Sequence, residues 1–257
     1  MRINMLGPIE VVADGGVVPL TGHGQRALLA ALAFDRGKIV PADELIGIIW
    51  GERPPASART KIQSHVSALR RAIGCGVRDA DSPLLTIPPG YLLSERAVET
   101  DLAEFGALAA RGNRAVEAGE PGVASTVFGD ALALWRGTAF ADVSSAALRA
   151  PAESLAERRL LVAEAKAEAD LALGRHGTVA GELSGWLISH PFRERLRGLT
   201  MLAMHGLGCR AEALAIYRAG QQAMTCELGL EPGAWLRGLY QHILDDKPVQ
   251  LGTAAAA

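Results

Sequence analysis

The chain has 257 residues, enough for one large or two small domains with a buried core. Hydrophobic residues make up 49% of the chain and charged residues 21%, which excludes a disordered protein. The longest stretch without a polar residue, 27–34, is far too short to cross a membrane. The formal net charge of −2 identifies no partner, because the placement of charges matters more than their sum.

Two features predict the compartment. The N-terminus carries one basic residue, Arg2, and a short apolar patch broken by Asn4, far less than a signal peptide needs. The three cysteines, Cys75, Cys209 and Cys226, are odd in number and form no CxxC pair. We therefore expect a cytoplasmic protein with reduced, structural thiols.

The first ninety residues predict a small mixed domain. Short strands are expected at 3–6, 10–13 and 17–20, with Asp14-Gly15-Gly16 as a hairpin turn. Apolar periodicity then predicts helices at 25–34, 42–50 and 57–73. Two further strands, 84–87 and 91–93, flank Pro88-Pro89-Gly90, where Gly90 is expected to adopt a positive φ. Sheet, three helices and hairpin is the order of a winged helix-turn-helix, which binds DNA.

The rest of the chain predicts helices only. They are expected at 101–118, 121–135, 151–173, 178–190, 192–207, 210–227 and 232–244, ending near Gly119, Gly174, Gly208 and Gly229. Leu173-Gly174 and Leu207-Gly208 lie 34 residues apart, a period typical of tetratricopeptide repeats, although an irregular helical bundle is the alternative.

We therefore expect a mainly α fold with three parts. Residues 1–96 form an α+β winged helix-turn-helix domain for DNA binding. Residues 97–247 form an all-helical, tetratricopeptide-like domain. Residues 248–257 lack periodicity and are expected to be a disordered tail.

The third helix has the most informative pattern. On a helical wheel, Ile62, Val66, Leu69 and Ile73 form one apolar stripe, beside Ala58. The opposite face contains no carboxylate, although solvated helix faces usually mix both signs of charge. Double-stranded DNA would supply the missing negative charge. The expected DNA-binding residues are Arg59, Thr60, Lys61, Gln63, Ser64, Ser67, Arg70 and Arg71.

Several other interpretations remain open at this stage. The basic helix could be an idle surface, and the wing tip, which has no Lys or Arg, could be purely structural. His65 lies near the apolar stripe and is expected at the edge of the core. Glu164 and Glu168 are expected to be solvated surface residues.

No P-loop, GxGxxG, GxSxG, HExxH or zinc-finger pattern occurs, so we expect no enzyme, no cofactor and no metal site.

Several short motifs occur along both predicted domains. The first domain contains Leu6-Gly7-Pro8, Gln25-Arg26-Ala27-Leu28-Leu29-Ala30, His65-Val66-Ser67-Ala68-Leu69-Arg70-Arg71 and Pro88-Pro89-Gly90-Tyr91. The second contains Ala131-Leu132-Ala133-Leu134-Trp135-Arg136-Gly137, His190-Pro191-Phe192-Arg193-Glu194-Arg195-Leu196 and Glu227-Leu228-Gly229-Leu230-Glu231-Pro232. Together these motifs resemble the Streptomyces antibiotic regulatory protein (SARP) family, in which an OmpR-like winged helix precedes a bacterial transcriptional activation domain. The resemblance spans about residues 1–247.

This resemblance implies a transcription activator of a secondary-metabolite (antibiotic) gene cluster. Such a protein binds direct repeats near the promoter −35 element, with two protomers side by side on double-stranded DNA. It recruits RNA polymerase holoenzyme, including its sigma factor, and does not act at a membrane. By resemblance, the loop 51–56 is a polymerase-facing segment with Glu52, Arg53 and Pro54. The alternative function is a helical-repeat adaptor that binds a protein and whose winged-helix cap does not read DNA.

Overall fold

The computed structural model describes residues 1–13, 16–73 and 82–246, so the predicted turn at Asp14-Gly15 and the predicted tail at 248–257 lie outside the described residues. The chain divides into two compact units. The first consists of Met1–Ala109 and Asp130–Arg159, and the second of Ala110–Gly129 and Leu160–Ala257. The predicted domain boundary at residue 96 was placed from the sequence pattern, and the division into compact units does not test it. It therefore stays a prediction.

The first unit begins with a four-stranded sheet formed by β1 (Arg2–Asn4), β2 (Glu10–Ala13), β3 (Gly16–Val18) and β7 (Glu99–Thr100), in the order β3-β2-β1-β7. Strand β2 pairs antiparallel with both β1 and β3. The three strands lie close to the predicted segments. Strand β7 (Glu99–Thr100) pairs parallel with β1 and was not expected, since two residues carry no alternating pattern.

Three helices and a second sheet complete the winged helix-turn-helix. Helices α1 (His23–Phe34), α2 (Ala42–Trp50) and α3 (Ala58–Ala72) occur where the apolar periodicity predicts them. Strands β5 (Leu84–Ile87) and β6 (Gly90–Leu93) form an antiparallel hairpin that we call the wing. Strand β4 (Ile39–Pro41), which was not predicted, pairs with β6, so the sheet order is β4-β6-β5.

The role expected for Gly90 is wrong. Gly90 is not among the glycines with a positive φ, so it does not supply a left-handed turn. Its register partner in β4 is Pro41, and a Cβ atom on Gly90 would lie 1.9 Å from the carbonyl oxygen of Val40. Glycine is therefore required because two backbones approach closely, a constraint created by a strand that the sequence pattern did not reveal.

Asp101, the first residue of α4 (Asp101–Glu117), connects this helix to the N-terminal sheet. Its carboxylate is buried, and it accepts hydrogen bonds from the backbone N–H groups of Met5 (2.8 Å) and Leu6 (2.9 Å). Burial raises the pKa of the Asp101 carboxyl above its ordinary value, although these N–H donors act in the opposite direction. Nearby, the backbone N–H of Arg136 donates to the Leu6 carbonyl at 2.8 Å.

The remaining helices follow the prediction closely. They are α4 (Asp101–Glu117), α5 (Pro121–Ala133), α6 (Arg149–Ala172), α7 (His176–Ser189), α8 (Glu194–Gly206), α9 (Arg210–Ala223) and α10 (Ala234–Leu244). A 3-10 turn (Ala146–Leu148) precedes α6, and a π-helical turn (Met224–Leu228) follows α9. Gly119, Gly174, Gly208 and Gly229 have φ between 67° and 77°, so they end helices as expected.

The second unit is held together by two apolar clusters. One lies among α6, α7 and α8 around Val179, Leu196 and Leu199. The other joins α8, α9 and α10 around Met201 and Leu236, with Tyr217 stacked on Tyr240 at 4.2 Å. Consecutive helices pack on each other, which is the tetratricopeptide-like arrangement. In the described residues, no helix is long and apolar enough to cross a membrane.

We expect Asp101→Ala to lower the free energy of unfolding by about 3 kcal/mol, because two buried N–H groups lose their acceptor. Glu104→Ala is the matched control, since Glu104 pairs with Arg2 at the surface and its loss should cost no more than about 1 kcal/mol. Urea denaturation followed by circular dichroism measures both values. Equal losses for the two variants would contradict the role given to Asp101.

Candidate nucleic-acid interface

Helix α3 separates its residues into a buried and an exposed face. Ala58, Ile62, Val66 and Leu69 are buried, as the apolar stripe predicts. Apart from Ala72 at its end, the exposed residues of α3 are polar or charged members of the predicted DNA-binding set, namely Arg59, Thr60, Lys61, Gln63, Ser64, Ser67 and Arg71. We call these seven residues the α3 exposed face. Because α3 contains no Asp or Glu, this face has excess positive charge.

One arginine of the α3 exposed face has a carboxylate partner from another helix. The Arg59 guanidinium donates to both carboxylate oxygens of Asp43 on α2, at 2.7 and 2.9 Å. Both side chains are about 70% exposed, so the pair contributes little to stability. Its effect is electrostatic, because Asp43 reduces the positive charge at the N-terminal end of the face. Asp43 lies 16 residues before Arg59, so the residue pattern of α3 alone does not reveal this pair.

The rest of the α3 exposed face is available to an external partner. The Ser64 hydroxyl donates to the Thr60 carbonyl at 3.0 Å within the helix. Arg71 Nε lies 3.5 Å from the Ser67 carbonyl oxygen, at the limit of a hydrogen bond. No ion pair joins Lys61 to another residue in the described part of the chain. Two cations and several short hydrogen-bonding groups therefore point outward together.

Arg70 requires a correction, because the structure does not place it on the exposed face. The residue is only 7% exposed. Its Nε and Nη2 atoms donate to the carbonyl oxygen of Leu84 at 3.0 and 2.8 Å, and Nη2 also donates to the Thr86 hydroxyl at 2.8 Å. On the helical wheel Arg70 lies at the edge of the polar arc. Packing of the wing against that edge, which only the tertiary structure shows, buries it.

His65 lies at the edge of the core, as expected. Its ring stacks on Trp50 with centroids 6.5 Å apart and an angle of 23° between the planes. A Cβ atom on Gly24 would lie 2.5 Å from His65 Nε2, so this ring leaves no room for a larger side chain at position 24 of α1. Burial, and the nearby charge of Lys61, lower the pKa of His65. The ring is therefore neutral at neutral pH and serves packing.

Two loops border α3. The loop before it exposes Glu52, Arg53 and Pro54, and begins at Gly51, whose φ is 62°. The tip of the wing exposes Pro88 and Pro89. Since the wing sequence contains no Lys or Arg, its tip offers no cation to a phosphate or a groove.

The prediction that Glu164 and Glu168 are solvated is wrong. Glu164 is 1% exposed, and Arg193 donates to its two oxygens from Nε (2.9 Å) and Nη2 (3.1 Å). Glu168 is partly buried and forms an ion pair with Arg195. Burial raises the pKa of Glu168, while the charge of Arg195 opposes that shift. These glutamates therefore tie α6 to the start of α8, a long-range pairing that spacing cannot reveal.

Other chemistry-bearing residues have structural surroundings. Cys209 and Cys226 are free thiols, and Cys75 lies outside the described residues. Within residues 1–13, 16–73 and 82–246, no three His, Cys, Asp or Glu side chains are grouped as metal ligands.

Comparisons with known proteins agree with this geometry. The family described as "bacterial transcriptional activator domain" matches residues 100–244, and "transcriptional regulatory protein, C terminal" matches residues 16–93. The regulatory protein DnrI of Streptomyces peucetius is 39% identical over 255 residues, covering 96% of this chain and 93% of that protein. The regulatory protein AfsR of Streptomyces coelicolor is 36% identical, with 100% of this chain and 25% of that protein covered.

A solved structure has the same fold. This structure, Mycobacterium tuberculosis EmbR in complex with a low affinity phosphopeptide, matches with a TM-score of 0.91 and 36% identity. The match covers 97% of this chain and 66% of that one.

We expect Asp43→Ala to strengthen binding of DNA of any sequence at low salt, because it removes a negative charge and releases Arg59. Glu44→Ala is the matched control. Glu44 is an exposed neighbour on α2 with the same charge, and no described ion pair joins it to α3. Fluorescence anisotropy with a labelled duplex measures both affinities. If Glu44→Ala gave the same gain, net charge alone would explain the effect, and the Asp43–Arg59 pair would have no particular role.

Proposed function

The chain belongs to the SARP family of transcription regulators, and from this membership we propose that it activates transcription by binding double-stranded DNA with the α3 exposed face. The observation that carries the proposal is the composition of this face. It presents Lys61 and Arg71 beside Gln63 and three hydroxyl side chains, with no carboxylate on the helix. A regulator of this family is not an enzyme, and we assign the chain no catalytic activity.

The cationic and the neutral polar side chains on this face suit contacts with DNA phosphates and with base edges. Lysine and arginine neutralise phosphates and release condensed counterions, which contributes sequence-independent and salt-dependent affinity. Arginine, lysine and glutamine also donate to the purine edges in the major groove, where serine and threonine bind either type of base. We therefore propose that Lys61 and Arg71 anchor the helix on DNA, while Gln63, Ser64 and Ser67 select the sequence.

We further propose that two protomers bind side by side on direct repeats near the −35 element of promoters in a secondary-metabolite gene cluster. The family's association with antibiotic regulation supports the choice of target. The loop with Glu52, Arg53 and Pro54 would face RNA polymerase holoenzyme, including its sigma factor, because all three residues are exposed beside the DNA-binding helix. On this proposal residues 1–96 read DNA and residues 97–247 serve activation.

The α3 exposed face is tested by Lys61→Ala and Arg71→Ala. We expect each to weaken binding to DNA from upstream of neighbouring operons by about 1–3 kcal/mol if the residue reads a base, or to reduce the salt slope by about 1 if it contacts a phosphate. Anisotropy on the native and a shuffled duplex across a salt series separates these effects. Lys38→Ala is the control, since Lys38 is 76% exposed but lies outside α3.

Unchanged binding by both folded variants would place the DNA-binding surface elsewhere. If the wild-type protein bound neither duplex at moderate salt, the DNA-binding proposal would fail and a protein-binding adaptor would replace it.

The proposed polymerase loop makes a separate prediction. The double substitution Glu52→Ala/Pro54→Ala should not weaken DNA binding, because it removes no cation, but should reduce transcript yield in a reconstituted reaction with holoenzyme. Glu120→Ala, in the exposed α4–α5 connection, is the control for losing a surface carboxylate. Full activation by the loop variant would contradict the assignment.

A further inference from the structure

We propose that Arg70 is a positioning residue for DNA recognition, which fixes the orientation of α3 relative to the wing without contacting DNA itself. This inference rests on the proposed function, since it concerns how the same interface discriminates between sequences. It also explains why an arginine in the recognition helix is turned away from the other cations.

Arg70 links α3 to β5 through three hydrogen bonds, to Leu84 and Thr86, which we call the clamp. The side chain leaves the last turn of α3, and two of its nitrogens converge on the Leu84 carbonyl at the start of β5. The third hydrogen bond, to the Thr86 hydroxyl, reaches the same strand two residues further along. Because Leu84 and Thr86 are successive positions on one side of the strand, the planar guanidinium sets both the distance and the direction of β5.

The contact between Arg70 and Leu84 is buried, so losing its hydrogen bonds costs free energy. Arg70 is 7% exposed, Leu84 is 1% exposed and Ser82, whose hydroxyl donates to the same Leu84 carbonyl at 3.2 Å, is 3% exposed. The two hydrogen bonds to the Leu84 carbonyl are buried, so water does not replace them if they are lost, whereas Thr86 is exposed. The base of the wing is therefore held at one angle to α3.

The consequence for recognition follows from what each type of contact requires. Phosphate contacts tolerate small changes of helix orientation, whereas hydrogen bonds to base edges require the side chain and the base to be aligned. Loss of the clamp should therefore reduce discrimination between sequences more than it reduces affinity for any DNA. The number of neutralised phosphates, which sets the salt slope, should stay the same.

The neighbouring arginine offers a matched comparison. Arg71 is the next residue along the helix and is exposed, so Arg70→Lys and Arg71→Lys make the same chemical change at one buried and one exposed position. Lysine keeps the positive charge but cannot donate from a planar fork to two acceptors. Thr86→Val removes one acceptor of the clamp and keeps the β-branched shape, so it tests the contact with little risk to folding.

The experiment measures anisotropy of the full chain on a native upstream duplex and a shuffled duplex across a potassium chloride series. We expect Arg70→Lys to lower the ratio of native to shuffled affinity by about tenfold with an unchanged salt slope. Thr86→Val should lower the ratio in the same direction by a smaller factor. The double variant should lose no more than Arg70→Lys alone, because both changes break one contact.

Three results would overturn the proposal. A salt slope reduced by about 1 in Arg70→Ala but not in Thr86→Val would mean that Arg70 contacts a phosphate. An unchanged affinity ratio in both Arg70→Lys and Thr86→Val, with melting temperatures like the wild type, would mean that the contact is only structural. If the wild-type protein bound the native and the shuffled duplex equally well, the proposed function itself would fail. The proposal for Arg70 would then fail with it, because there would be no sequence recognition for Arg70 to support.

Discussion

The arrangement of the DNA-binding unit depends on burial of one stripe of α3. Ile62, Val66 and Leu69 are each at most 2% exposed, and burying each side chain contributes about 1.5–3 kcal/mol. This stripe packs against α1 and α2, so the opposite side of the helix must face outward. Because successive residues of a helix lie about 100° apart, the rotation that buries Ile62 places Gln63 about 100° and Ser67 about 140° away from it, and both are exposed. Packing and recognition are therefore two results of one helix orientation.

The second unit also contains buried charged side chains that have defined partners. The Asp170 carboxylate, 1% exposed, accepts hydrogen bonds from Ser125 (2.6 Å), Lys166 (2.8 Å) and Arg175 (3.0 Å). Burial alone would raise the pKa of Asp170, but the hydrogen bonds from Lys166 and Ser125 outweigh it and lower the pKa. Such pairs add little net stability against apolar residues, but a missing partner leaves a costly buried charge. They therefore favour one register of the helices.

The segment Arg193–Arg197 shows how one short motif connects several helices. Arg193 binds Glu164 on α6, and Glu194 accepts the backbone N–H of Gly233 at 2.9 Å, just before α10. The Arg197 guanidinium, 5% exposed, donates to the Ile216 carbonyl on α9 at 2.7 Å. Each of these charges lies opposite a group far away in sequence. Arg193 and Glu194, which belong to the motif that carries the family resemblance, thus brace the helices of the second unit.

Local pattern was sufficient to determine the helices of this protein, the strands of its wing and the two faces of α3, because apolar periodicity and the glycines at helix ends act within a few residues. It was not sufficient for contacts between distant segments. The close approach of β4 explains why residue 90 is a glycine, and hydrogen bonds to the wing explain why Arg70 is buried. Asp43 pairs with Arg59, and Arg193 pairs with the buried Glu164. In each case the partner lies many residues away, so only the tertiary structure decides whether a charge faces solvent or the interior.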